Sequence, residues 1–308
     1  MRIQSARRLA IALGIAAVGA AVVVSAQGMM LPSSPKKAFG ASISPAYDGW
    51  YTNADGTHTF LIGYYNRNWK AEVDVPIGPE NHFEPGPPDR GQPTHFMPNR
   101  GFGMFTVTVP KDTPANDRLW WVLTVNGVTQ RVPFHRSPDY NISPNQASEE
   151  SPGGKYNRPP ILRFSENGPA IQNPMASLET ALARSATVGK PLALDLWVED
   201  DGLYSSGSNA PVTDDFKMAN VVISRYRGPG PVTVVKDEKW TTLKGGKPGE
   251  PYAGKISANV TFSQAGDYML HLTVNDLSGP GGGATGCCWT TALIKVDVKG
   301  TAVPTGQE

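Results

Sequence analysis

The sequence predicts an all-β protein made of two β-sandwich domains joined by a Pro/Ser/Gly-rich linker. Three observations carry this expectation. The 308 residues include 28 Pro and 33 Gly, a density of chain breakers that suits turns and short strands. Apolar residues recur with a period of two in several runs, and almost nowhere with a helical period. Turn-forming clusters separate these runs.

The chain opens on "MRIQSARRLAIALGIAAVGAAVVVSAQG". Arg2, Arg7 and Arg8 precede an apolar run from Leu9 to Val24, and Val24-Ser25-Ala26 places small side chains where a signal peptidase cuts. Residues 1–26 therefore read as a signal peptide, which implies a periplasmic or extracellular protein. A retained membrane anchor is the alternative, since the run approaches spanning length. No cysteine follows the run, so a lipid-modified N-terminus is not indicated. Removing residues 1–26 takes away three of the 28 basic residues and none of the 27 acids, leaving 25 − 27 = −2. That balance gives no footprint for nucleic acid or for an anionic membrane. No later segment is long and apolar enough to span a bilayer.

Residues 38–136 read as a β-rich first domain. "GWYTNADGTHTFLIGYY" suits a hairpin around Asn53–Gly56, "GMFTVTVP" a strand, and "RLWWVLTVNGVTQRVPF" a second hairpin turning at Asn126-Gly127. Between them, "VPIGPENHFEPGPPDRGQPTHFMPNRG" reads as a long Pro/Gly-rich loop without strands. Residues 137–160 have linker composition, and their sequon at Asn141 is weakened by Pro144. "PMASLETALARSA" (174–186) is the one helix-like run, expected as a short helix or turn.

Residues 161–299 form the second domain. Leu192, Leu194, Leu196 and Val198 share one face of a strand; so do Ile256, Ala258, Val260 and Phe262. Tyr268, Leu270, Leu272 and Val274 point inward, with Met269, His271 and Thr273 outward. Ala292, Ile294, Val296 and Val298 complete the pattern. One apolar face per strand is what a two-layer sandwich requires. "NVVISRY" reads as a central strand and "PVTVV" as an edge strand; residues 300–308 read as a disordered tail.

"FSQAGDYMLHLTVNDLSG", followed by a Gly-rich loop and "TTALIKVDVK", resembles the last two strands of immunoglobulin-like domains of the polycystic-kidney-disease (PKD) or cadherin type. Tyr268 matches their tyrosine corner, and "VGKPLALDLWVEDDG" resembles their second strand. The resemblance spans roughly residues 186–299 and lacks the Trp-x-Phe-Gly-Asp-Gly stretch common in PKD domains. It implies an immunoglobulin-like β-sandwich in which the second and sixth strands end at the same pole. Glu199, Asp200, Asp201 and Asp276 would then converge on a hard cation, with Ca²⁺ as the candidate. The bland alternative is that Asp and Gly make good turns.

Two further sets of residues are candidates for binding. Aromatics crowd the first domain, and in "YYNRNW" Tyr64, Tyr65, Asn66, Arg67 and Trp69 combine rings with polar handles, as a sugar-stacking surface would; packing beneath the Pro-rich loop is the competing role. The only two cysteines, Cys287 and Cys288, are adjacent. An exported chain meets oxidising conditions, and a vicinal disulfide would set a rigid apolar bump beside Trp289. Free buried thiols and thiolates on a soft metal such as Cu(I) remain alternatives.

His58, His82, His95 and His135 also fall in the first half, with Glu84 and Asp89 in the long loop, but their spacing fits no helix-borne metal motif. No G-x-S-x-G, P-loop or C-x-x-C-H occurs. The expected function is an exported non-catalytic binding or structural module recognising a protein or glycan. The alternative is a metal-dependent hydrolase using the His-rich loop.

Overall fold

Alternating side chains become two pairs of facing sheets. The computed structural model describes residues 37–143, 157–173, 176–203, 218–247, 249–276 and 288–301. The expected signal segment, residues 144–156 of the expected linker, Cys287 and residues 302–308 of the expected tail lie outside them. No helix among the described residues is long and apolar enough to cross a membrane.

In the first half, β1 (Ile43–Thr52), β2 (His58–Asn66) and β6 (Asn99–Val109) form one antiparallel sheet. A second contains β4 (Asn81–Glu84), β7 (Leu119–Val125) and β8 (Val128–Phe134), and a small pair consists of β3 (Val73–Asp74) and β5 (His95–Phe96). The two three-stranded sheets enclose an aromatic core. Phe83 stacks on Trp121 at 5.7 Å, Phe105 meets Trp121 edge-on at 5.5 Å, and Tyr47 meets Phe134 at 5.3 Å. Asn126 and Gly127 both have positive φ (52° and 74°), the two-residue turn that their sequence favours.

The long loop departs from expectation, because β4 and β5 form within it. "NHFE" carries no proline of its own, and its alternation buries Asn81 and Phe83. The Asn81 amide donates to the carbonyls of Val75 and Pro93 (2.9 and 2.8 Å), and the Trp121 indole donates to Asn81 Oδ1 at 2.9 Å. One buried amide thus substitutes for the ladder bonds that the neighbouring prolines cannot make.

In the second half, one sheet runs in the order β13 (Val232–Lys236), β15 (Tyr252–Phe262), β11 (Leu192–Asp200), β9 (Ile161–Arg163), with β14 (Thr241–Lys244) also on β15. The facing sheet runs β10 (Leu182–Thr187), β17 (Trp289–Lys299), β16 (Gly266–Asn275), β12 (Asn220–Arg227). All sixteen residues expected inward line the space between these sheets, although Leu192 is only half-buried. The Tyr268 hydroxyl donates to the Gln264 carbonyl at 3.2 Å, pinning the start of β16 to the turn before it.

Three expectations here are corrected. The run at 174–186 makes the turn that was one of its two expected forms at 178–180 and no helix over its described residues; from Leu182 it instead pairs in parallel with β17, whose edge supplies ladder partners for every residue of β10. "NVVISRY" is terminal in its sheet. Met269 and His271, on the face of β16 expected outward, are buried at 6 % and 3 % exposure. The first half covers that face, and Tyr226, Met269 and Leu293 belong to the same apolar cluster as Phe60, Phe105 and Trp121.

Candidate functional site

The strand alternation that packs Val198 inward also turns Asp200 inward, at the last position of β11. Asp200 pairs across the sheet with Tyr252. Gly202, at φ +75°, then bends the chain so tightly that a Cβ there would lie 2.4 Å from the Glu250 carbonyl oxygen. From the facing sheet, the residue after β16 is Asp276, 1 % exposed.

These ends meet. Burial, and then the charges of Asp201 and Asp276, push the Asp200 carboxyl up to about 8. Tyr252 is raised first by burial, and all three carboxylates add to the effect. Its hydroxyl accepts from the Ala219 N–H at 2.7 Å. Burial also raises Asp201. Two of the expected acids on β11 and its turn, together with Asp276, therefore occupy one pole of the sandwich. Glu199 faces the other way, half-exposed, and its carboxylate pairs with Arg163.

Backbone and amide donors hold most of the carboxylate oxygens. Asp200 Oδ2 accepts from Gly202 N at 2.9 Å. Asp201 accepts from Leu203 N and Arg158 N, both at 2.8 Å. Asp276 Oδ2 accepts from the Asn157 amide at 2.7 Å, and its own N–H donates to the Cys288 carbonyl at 3.2 Å. Asp200 Oδ1 differs: it is buried and has no hydrogen-bond partner. Desolvating an acceptor without replacing its hydrogen bond is costly, so this oxygen calls for a proton or a cation. Glu199, Asp200 and Asp201 all line a cleft of about 440 Å³ with Arg158, Lys244 and Tyr252. Among the described residues, no three His, Cys, Asp or Glu side chains are already grouped around a metal position.

The "YYNRNW" residues divide by burial. Tyr64 is enclosed, its ring 5.1 Å from Phe96 and its hydroxyl accepting from Met97 N at 2.9 Å. Asn66 is also enclosed and donates to the carbonyls of Ala71 and Phe96. Tyr65, Arg67 and Trp69 are exposed. Trp289 is buried at 2 % exposure in a cluster with Leu61 and Ile142 of the first half, and a Cβ on Gly103 would lie 2.9 Å from its ring. Cys288 is buried at 1 % exposure.

The histidines occupy separate settings. His58 shares a hydrogen bond with Thr52, and His82 lies 4.0 Å from Glu84. His95 lies between Asp74 (2.9 Å) and Glu72 (3.2 Å). Sequence reasoning did not find Tyr252 and Asn157 at the acidic pole. Asn157 lay in linker-like composition, and the alternation around Tyr252 gave no sign that its hydroxyl meets the acids.

No protein-family model and no curated protein matches the chain. One solved structure to which it is similar is described as "Crystal structure of the S-layer protein SbsC domains 4 and 5". The likeness has a TM-score of 0.23 and 10% identity, covering 59% of this chain and 65% of that one. The chain thus spans less than two thirds of that structure's length, and so loose a likeness carries no argument about function.

Proposed function

We propose that the chain is an exported, non-catalytic binding or structural module, its second half an immunoglobulin-like sandwich of the PKD or cadherin type that holds Ca²⁺ at one pole. The observation that carries the cation is Asp200 Oδ1, buried and without a partner beside two more carboxylates. Ca²⁺ takes six to eight oxygens at about 2.3–2.6 Å, and tolerates irregular shells of carboxylate, carbonyl and water. Rotation of the Asp200 and Asp276 carboxylates would supply the first ligands, and water in the cleft the remainder. The sandwich topology and the Tyr268 corner support the immunoglobulin-like assignment. A bond between Cys287 and Cys288 would stiffen the entry to β17 next to this pole, and its recognition partner would be a protein or a glycan.

Thermal unfolding of the exported chain tests the cation. Millimolar Ca²⁺ should raise the melting temperature by several degrees over chelator, because a ligand at 100 times its Kd stabilises the fold by about 2.7 kcal/mol. Asp200→Asn, which keeps a hydrogen-bonding side chain of the same shape, should fold and lose the response. A melting temperature indifferent to both Ca²⁺ and chelator would overturn the proposal.

A further inference from the structure

The sequence Tyr65–Trp69 alternates strictly between outside and inside. Asn66 and Asn68 are each 1 % exposed and are bonded to one another and to the backbone of Ala41, Ala71 and Phe96. Tyr65, Arg67 and Trp69 consequently share the solvent side of a rigid ridge. The incoming chain is laced alongside: Trp69 N donates to Lys37 O at 3.0 Å, Lys70 N to Ala38 O at 3.2 Å and Arg67 N to Ser42 O at 3.2 Å. That lacing places Phe39 and Lys37 beside the ridge.

This face is unusual for its rings and for its charge. Among the described residues, four aromatic side chains are strongly exposed, and three of them are here: Phe39 (66 %), Trp69 (47 %) and Tyr65 (37 %). Lys70 Nζ lies 4.5 Å over the Trp69 ring and Arg67 Cζ 5.4 Å over the Tyr65 ring. The Arg67 guanidinium bonds to the Ser44 hydroxyl at 2.5 Å, and Glu72, the nearest acid in sequence, is taken by His95. In a chain of almost balanced charge (28 basic against 27 acidic residues), Lys37, Arg67 and Lys70 stand at one aromatic surface, and the nearest acid in sequence, Glu72, faces His95.

We infer that this face, formed by Lys37, Phe39, Tyr65, Arg67, Trp69 and Lys70, docks on an anionic lipid bilayer. Tryptophan and tyrosine settle at the boundary between headgroups and acyl chains, and lysine and arginine reach past them to the phosphates. The cations resting on the rings speak against a sugar platform, because they cover a ring face on which a pyranose would stack. The near-neutral sum over the whole chain conceals the patch, since an anionic surface acts on charges within about a Debye length. The inference does not depend on the cation site at the other half.

Fluorescence quenching by brominated lipid separates patch contact from any attachment through the apolar run. The full chain is mixed with vesicles of brominated phosphatidylcholine, with and without about a third phosphatidylglycerol. The chain should lose a share of tryptophan emission on the anionic vesicles that Trp69→Phe does not lose, and 0.5 M salt should restore it. The triple variant Lys37→Gln/Arg67→Gln/Lys70→Gln should weaken the effect about 100-fold in lipid concentration, taking roughly fivefold per cation. Every substituted side chain is exposed, and unchanged far-ultraviolet circular dichroism verifies folding. Identical quenching of the chain and Trp69→Phe would overturn the inference. So would equal quenching on phosphatidylcholine alone, or Trp69 emission that responds to soluble glycans and not to lipid.

Discussion

At the scale of single residues, the buried polar groups set the pH response. His271 stacks against Tyr226 at 5.6 Å, and burial lowers its imidazole to about 4, with the Met104 backbone opposing only in part. Its folded pKa is below the unfolded value, so the unfolded chain binds more protons between about pH 6.5 and 4. Stability is therefore fully present above 6.5 and falls as the pH drops through that window, by up to roughly 3 kcal/mol through linkage. Asp48, pushed up to about 6 by burial despite the Arg100 guanidinium beside it, acts in the opposite sense over part of the same range. The comparison that isolates His271 is between the chain and His271→Gln, by urea unfolding at pH 7 and pH 4. The variant should lose less stability on acidification; equal losses would show that the imidazole takes up its proton equally in the folded and unfolded chain.

At the scale of strands, the turn before β16 offers a direct test. Tyr268→Phe removes one hydroxyl whose hydrogen bond ends on the Gln264 carbonyl, and should cost about 1 kcal/mol without altering the sheet register. A variant as stable as the parent would mean that ring packing against Phe262, at 4.8 Å, carries the corner alone. This element was legible in the sequence because "QAGDY" combines turn residues with the first inward position of an alternating run. β4 was less legible: the five residues between Pro79 and Pro85 are too few for periodicity to register, and a buried asparagine does the work of several main-chain bonds. β10 was missed because its residues suit a helix locally, while its structure is dictated by the parallel partner β17, more than a hundred residues later. At the acidic pole, the period of two placed Asp200 inward, and the order of strands brought Asp276 to it. The alternation also turned Glu199 outward, which a count of acids in "EDDG" overlooks.

Over the whole molecule, the two halves share one core cluster, and Lys37–Glu308 forms a single compact unit. Periodicity shows which residues lie on one face of a strand and is silent on what covers that face, so Met269 and His271 looked solvent-facing. A protease that cuts within 144–156 should leave two fragments that co-elute in gel filtration, because Tyr226, Met269 and Leu293 remain inserted among the aromatics of the first half. Fragments that separate without denaturant would show that this shared cluster contributes little. The same junction also disposes of an open margin. The first half runs along β12: Thr94 N donates to Tyr226 O at 3.2 Å, the Tyr226 hydroxyl to Gly91 O at 2.6 Å, and the Arg227 guanidinium pairs with Asp89 at 2.8 Å. Unpaired strand margins recruit further chains. Stripped of its first half, the second sandwich would present bare main-chain groups flanked by an apolar surface, a template on which successive copies could add without limit. The first half therefore shields part of that margin, through the Thr94 bond and the contacts of Tyr226 and Arg227.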